Sequence, residues 1–562
     1  MEIIVNWPRR LLWLALFAWP FQVTLCLDSG FNAELKLTGG AHRMFRQGVD
    51  QPVLEVTAWS TDAMAHDVVP SLSVADIFNQ PIPNALPPVE FRLPVDGSRV
   101  QLKLPLSFGI GYYSIIVRLT SGAATLSQSM DLGIVWPPYP GVRPNSLFAS
   151  NVAPREGEDL QFLETIGMKV QRTHFIPEVA TTIKSWPREL PAGQAVPLNF
   201  DKLDREWGEL KAHGLWILPI VGYSLAGAGV FDRTRLAEQL GMYGPPNDAG
   251  RFIRTWETVL RHYPELTTLE FWNEPWIYDW TWAATPADYR RLQEQWCSMA
   301  LTVNSHYRLL AGNSTAFVRD NIEPDPECWE GLLLGVTNHP YTLSVPAASW
   351  RGGDVFRAID EIHLTARDLG LPYSYLTEGG TAFSYQRSPD DPLSYDNTEN
   401  AEKIVQYYVG TALAGVFMGN AQWEIGYGPD WTRSNTAFAV MTHFLEDRVP
   451  LVDLWPRQEL LWGAIFANRK FATPLVQSLP RGSELRSRWD VEVPQSRGND
   501  DEKVAILWAL TGPDASLLDP DGQLVILDSA DLHAFTMTGQ EIPPFQGKLT
   551  LPLSSAPVYV TT

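Results

Sequence analysis

Apolar and polar positions alternate through the first quarter of the chain. Val100, Leu102 and Leu104 take every second place, as do Tyr113, Ile115, Val117 and Leu119 in GYYSIIVRL. A period of two puts one face of a strand against a core, and helical periodicity is scarce here. The pattern predicts an N-terminal β-sandwich over 28–140, with WPPYPGVRP at 136–144 as a linker.

Beyond the linker, short apolar runs alternate with amphipathic stretches. Strands are predicted at SLFAS (146–150), MKVQRT (168–173), LWILPIV (215–221), LTTLEFW (266–272), RLLAG (308–312), LLGVTNH (333–339), YSYLT (373–377) and GNAQWE (419–424). Leu292, Trp296 and Met299 share one helical face, as do Ile404, Tyr408 and Ala412. Thr398 marks a helix start and Gly370 a helix end. Eight strand–helix alternations over 145–450 predict an α/β fold, a (β/α)8 TIM barrel. A doubly wound sheet is the structural alternative, weakened because no G-x-G-x-x-G follows the first strand. The stretch 455–562 returns to strands and turns and predicts a C-terminal β-sandwich.

Residues 1–26 carry Arg9 and Arg10 ahead of an apolar stretch broken by Pro20 and Gln22. That order predicts a secretory signal or membrane-targeting segment, with no stable membrane span once it is removed, and so an exported protein. The net charge of −21 withholds the basic footprint that nucleic acid needs. Cys297 and Cys328 follow the signal, spaced so that buried thiols are the expectation over a disulfide. No C-x-x-C or H-E-x-x-H occurs, so neither a metal nor a cofactor is expected. The 22 tryptophans change the picture more, because flat aromatic surfaces stack on hydroxylated ligands.

Barrel strands present their C-terminal ends to the active-site mouth. At those ends stand Arg172 and His174, Asn273 and Glu274, Asn338, His339 and Tyr341, Glu378 before Gly379 and Gly380, and Trp423 with Glu424. Two carboxylates across such a mouth are what glycosidic cleavage needs, one protonated to serve the leaving oxygen and one ionised to attack the anomeric carbon. Glu274, between Trp272 and Trp276, suits the acid; Glu378, facing Arg172 and Tyr341, suits the nucleophile. Strand alternation turns Trp423 to the mouth and Glu424 to the helices. Trp276, Tyr278, Trp280 and Trp282 are expected to form an aromatic wall, with Trp276 on the substrate. Arg172 could instead pair with Glu164, and His339 could be a structural histidine. Asn313 opens an N-S-T sequon but falls at a strand end, so glycosylation is not expected there.

W-N-E-P at the fourth strand together with T-E-G-G at the seventh resembles the retaining glycoside hydrolases of clan A, of the family 39 and family 5 type. The resemblance covers about 145–450. It implies Glu274 as acid/base, Glu378 as nucleophile and Asn273 on the sugar 2-hydroxyl. N-H-P-Y at 338–341 looks like the strand-six motif whose His339 and Tyr341 contact the site. Arg172 is similar to the strand-two arginine and Trp423 to the strand-eight tryptophan under the sugar. The expectation is a retaining hydrolase of β-glycosidic bonds in a neutral oligo- or polysaccharide, with the carboxyl groups about 5 to 5.5 Å apart. Alternatives are a non-catalytic carbohydrate-binding barrel, a transglycosylase and an iduronidase-like enzyme. Oligomeric state is unknown from the pattern.

Overall fold

The computed structural model describes residues 30–83, 89–154, 157–172, 193–222, 245–246, 248–277, 282, 284–305, 307–312, 314, 317–318, 333–340, 354–371, 373–379, 398–421, 425–427, 431–453, 461–468, 503–509, 523–526 and 531–562. The predicted export segment 1–26 lies outside them, as do His174, Tyr278, Trp280, Asn313, Cys328, Tyr341, Trp423 and Glu424. No helix among the described residues is long and apolar enough to cross a membrane.

Nine strands come first: β1 (Phe31–Thr38), β2 (Met44–Arg46), β3 (Val53–Ser60), β4 (His66–Ala75), β5 (Pro81–Ile82), β6 (Phe91–Leu93), β7 (Val100–Pro105), β8 (Gly111–Ser121) and β9 (Ala124–Val135). They form a three-stranded sheet, β1-β3-β7, and a second sheet, β2-β9-β8-β4-β5, with β6 on β4. In β3 alternate residues are buried, as a period of two requires of a strand with one covered face. Leu54, Val56 and Ala58 from one sheet meet Ile115, Val117 and Leu132 from the other in a shared core. β8 and β9 join through Gly122-Ala123, with Gly122 at φ +58°, the left-handed conformation a two-residue hairpin demands.

The middle of the chain alternates parallel strands with helices. Its strands are β10 (Phe148–Ser150), β11 (Val170–Arg172), β12 (Trp216–Leu218), β13 (Ile220–Val221), β14 (Thr268–Phe271), β15 (Arg308–Ala311), β16 (Leu333–Asn338), β17 (Tyr373–Leu376) and β18 (Gly419–Ala421). Its helices are α1 (Gly157–Thr165), α2 (Asp201–Ala212), α3 (Ala249–His262), α4 (Pro286–Val303), α5 (Asp354–Asp368), α6 (Thr398–Leu413) and α7 (Thr432–Leu445). The strands lie in two parallel sheets, β12-β11-β10-β18 and β13-β14-β15-β16-β17. Between β12 and β13 stands Pro219, which has no N–H for a ladder, while its carbonyl accepts from the Glu270 N–H at 3.0 Å. On the far side Tyr375 and Met418 form a parallel bridge, with the Leu376 N–H donating to the Met418 carbonyl.

Helix starts follow local chemistry. Thr285 and Asp288 form a capping box ahead of α4, with Pro286 at the first turn, and Asp248 caps α3 through the Arg251 N–H. Leu292, Trp296 and Met299 are buried on α4 as their spacing predicts, with Cys297 beside them. Gly370, just past α5, stands at φ +69°, the usual left-handed helix stop.

The remaining strands are β19 (Arg448–Asp453), β20 (Leu461–Asn468), β21 (Lys503–Ala509), β22 (Gln523–Ile526), β23 (His533–Thr536), β24 (Glu541–Ile542), β25 (Leu549–Pro552) and β26 (Val558–Thr561). Six make the sheet β19-β20-β21-β26-β23-β24, and β22 pairs with β25. The chain turns at Asp447 (φ +65°) straight from α7 into β19, so this sheet begins at Arg448. One continuous core runs from Met44, Tyr112 and Val135 through α7 to Phe466, Ile506 and Tyr559.

Candidate active site

Arg172 ends β11 with its side chain 2% exposed. Burial alone opposes its charge, but the Glu270 and Glu378 carboxylates beside it more than offset that and lift it above the usual guanidinium value. Each nitrogen of its planar fork donates: Nε to Glu270 Oε2 at 2.6 Å, Nη1 to Glu378 Oε1 at 2.5 Å and Nη2 to Asn273 Oδ1 at 2.8 Å. One arginine thus ties together the ends of the strand-two, strand-four and strand-seven positions. The alternative partner, Glu164, lies with His213 and Arg46 instead.

After β14 the backbone departs from the extended form. Trp272 and Glu274 have φ of +66° and +48°, conformations rare for non-glycine residues and costing on the order of 1–3 kcal/mol each. The excursion separates the side chains of three consecutive residues. Trp272 packs edge-on to Trp282 at 4.9 Å, Asn273 meets Arg172, and Glu274 Oε1 reaches His339 Nδ1 at 3.0 Å. The Ile277 N–H donates to the Glu274 carbonyl at 3.0 Å and closes the turn.

His339 follows β16, its side chain fully buried. Nδ1 stands 3.0 Å from Glu274 Oε1 and 3.6 Å from Glu378 Oε2, and Nε2 stands 3.1 Å from the Thr377 hydroxyl. Thr377 in turn donates to Glu270 Oε1 at 2.5 Å. One oxygen each of Glu274 and Glu378 and a His339 ring nitrogen lie within 4.8 Å of one another. A cation could bridge such a trio, but the Arg172 guanidinium already supplies positive charge at Glu378, so we assign no metal there.

The site therefore brings together Arg172, Asn273, Glu274, His339 and Glu378 as the sequence led us to expect. The aromatic wall differs. Trp282 is fully buried between Trp272 and Tyr289 and donates to the Thr285 carbonyl. A tryptophan three residues from the next helix cap serves packing there, and the sequence pattern does not separate that use from stacking. Trp276 remains 40% exposed, two residues past Glu274. Two residues of the network escaped the sequence reading, Glu270 and Thr377. The available signal for Glu270 was a lone carboxylate inside the otherwise apolar run Leu269–Trp272, where a charge is rarely buried without a partner.

No protein-family model and no curated protein sequence matches the chain. Its structural likeness is to glycoside hydrolases. A GH39 enzyme from Xanthomonas axonopodis pv. citri is 14% identical, with 76% of this chain and 95% of that one covered at a TM-score of 0.46. A GH39 β-xylosidase from Caulobacter crescentus is 15% identical, with 75% and 97% covered at 0.47. A family 51 α-L-arabinofuranosidase from Bifidobacterium longum is 9% identical, with 75% and 96% covered at 0.41.

Proposed function

We propose that the chain is an exported retaining glycoside hydrolase of β-linked neutral sugars, its two parallel sheets forming one (β/α)8 barrel. Two carboxylates in unlike settings carry this reading. Glu378 is held by the buried Arg172, and Glu274 is paired with the imidazole of His339, with an oxygen of each inside a 4.8 Å cluster. Retention needs closely spaced carboxyl groups, whereas inversion needs room for a water between them.

In this reading Glu378 attacks the anomeric carbon while the bond to the leaving oxygen breaks and that oxygen takes the Glu274 proton. Water then gives a proton to Glu274 and attacks the same carbon, releasing Glu378. Arg172 keeps Glu378 charged and aimed, and Asn273, fixed by the same guanidinium, is placed for the sugar 2-hydroxyl. Trp276 offers an exposed ring beside the acid for a sugar face. No cofactor enters the steps. Tyr341 and Trp423 complete the proposed substrate contacts from positions outside the described residues.

The test is a panel of aryl β-glycosides with wild type, Glu274→Ala and Glu378→Ala. Glu378→Ala should lose at least about 10³-fold in kcat, in line with loss of a nucleophile, and azide should rescue it with inverted product. Unchanged turnover in Glu378→Ala would remove the assignment. Glycan binding without any turnover by wild type would favour a binding protein.

A further inference from the structure

The contacts behind His339 determine where its protons sit. Glu270 accepts at both carboxylate oxygens, from Arg172 Nε at 2.6 Å and from the Thr377 hydroxyl at 2.5 Å. A threonine hydroxyl has a single proton, and here it is given to Glu270. At 3.1 Å the same hydroxyl can therefore only accept from His339, so Nε2 carries a hydrogen. In the neutral ring Nδ1 is then a bare lone pair. It faces Glu274 Oε1 at 3.0 Å and Glu378 Oε2 at 3.6 Å, and a lone pair against carboxylate oxygens repels unless a proton lies between. Glu378 is already the acceptor of Arg172. Placing the proton on Glu274 leaves both members of the pair neutral, which the full burial of the His339 side chain favours.

We propose that Thr377, oriented by Glu270, is a positioning residue that holds His339 as its Nε2–H tautomer, so that Nδ1 accepts a hydrogen bond from the carboxylic acid of Glu274 and keeps that acid loaded. The inference rests on Glu274 being the acid of the proposed reaction. It also gives the histidine a part in both half-reactions. Once Glu274 has passed its proton to the leaving oxygen, its carboxylate faces the Nδ1 lone pair, and that repulsion favours taking a proton back from water. Among the described residues, the charged groups around this chain of contacts are Arg172 from β11, Glu270 from β14, Glu274 in the turn after it, and Glu378 after β17. Of these, Glu270 and Glu378 are both bonded to Arg172, and Glu274 is the carboxyl group at hydrogen-bond distance from His339 Nδ1.

Two measurements test it. In Thr377→Val, kcat/KM on a phenyl glycoside, whose leaving group needs acid help, should fall about tenfold or more. On a 2,4-dinitrophenyl glycoside, which needs little, it should change by less than about twofold. The alkaline limb of the pH profile on the phenyl substrate should move to lower pH, and Thr377→Ser, which keeps the hydroxyl, should restore wild-type behaviour. Equal losses on both substrates with unmoved limbs, or no recovery in Thr377→Ser, would overturn the proposal. Imidazole nitrogen NMR on the wild-type protein, with the His339 signals identified by their absence in His339→Gln, should show Nε2 protonated and Nδ1 bare at neutral pH. A protonated Nδ1 would overturn it too. The nitrogen spectrum reads the tautomer whether or not a substrate is in hand, and turnover by wild type tests the hydrolase reading alone, so the two failures are told apart.

Discussion

At the scale of single residues, the site hangs on one buried cation. Arg172 and Glu270 are 2% and 0% exposed, so neither can fall back on water if the other is lost. Arg172→Met should therefore cost about 3–5 kcal/mol of folding stability, because Glu270 is left buried without its charge partner. Urea unfolding would read the loss, and adding Glu270→Gln should return part of it; a double variant no better than the single one would show that Glu270 is compensated by other means. The residues that end strands were readable before the structure because their place, not only their type, marked them. Arg172, Asn273, Glu274, His339 and Glu378 all stand where a strand gives way to a loop, and they do meet. Glu270 and Thr377 were not readable. Each sits beside a more conspicuous neighbour, and their use depends on a side chain arriving from another strand, which no local pattern encodes. Trp282 shows the opposite error, an aromatic counted toward a ligand surface that instead fills the core.

At the scale of elements, the strand runs read from apolar patterning fall within a few residues of the observed ones, because short buried parallel strands carry their own composition. Their spatial order is set by hydrogen-bond partners far along the chain, as in β10 pairing with both β11 and β18. Close approach between elements explains Gly379, next to Glu378. A Cβ there would lie 2.6 Å from the Tyr407 hydroxyl on α6, which itself donates to the Asn420 carbonyl at 3.3 Å. In the proposed reaction, with Glu378 as nucleophile, Gly379→Ala should push the segment carrying Glu378 off its position and lower kcat about 10²-fold. Pairing it with Tyr407→Phe removes the clashing oxygen and should recover much of the activity; no recovery would mean that the helix is not what constrains this turn. A second prediction concerns α7. His443 stacks on Trp136 at 4.5 Å, and burial, aided by the Arg448 charge, pushes its imidazole down from 6.5 to about 4. The unfolded chain then binds a proton below about 6.5 that the folded one refuses until about 4. Stability present above that window should decline as pH falls through it, by at most about 3 kcal/mol. His443→Phe keeps a ring against Trp136 without the titration, so unfolding midpoints measured from pH 7 to 4 should fall less steeply than in wild type; parallel curves would exclude His443 as the source.

At the scale of the whole molecule, α7 is where the three parts of the chain meet. Tyr112 from β8 accepts from Arg433 Nε at 2.9 Å, and Phe444 stacks on Tyr559 of β26 at 4.6 Å. One tight point against α7 is Gly133 on β9, where an added Cβ would stand 2.2 Å from Thr436 Oγ1 and 2.8 Å from Met44 Sδ. Such a distance forces something to move. Thr436 is poorly placed to yield, since its hydroxyl is bonded to the Thr432 carbonyl at 2.7 Å and its side chain is fully buried. Gly133→Ala should therefore destabilise the chain by about 1–3 kcal/mol, the usual cost of overpacking. The N-terminal sheets also possess a core of their own, built on residues such as Leu54 and Ile115. The loss should accordingly appear as weakened docking on α7, not as melting of β8 and β9. A double-mutant cycle with Thr436→Ala separates these outcomes, because removing the hydroxyl opens the space that the new methyl needs. A favourable coupling in the cycle places the strain between β9 and α7, whereas additive losses would place it within the β2–β9 pair around Met44.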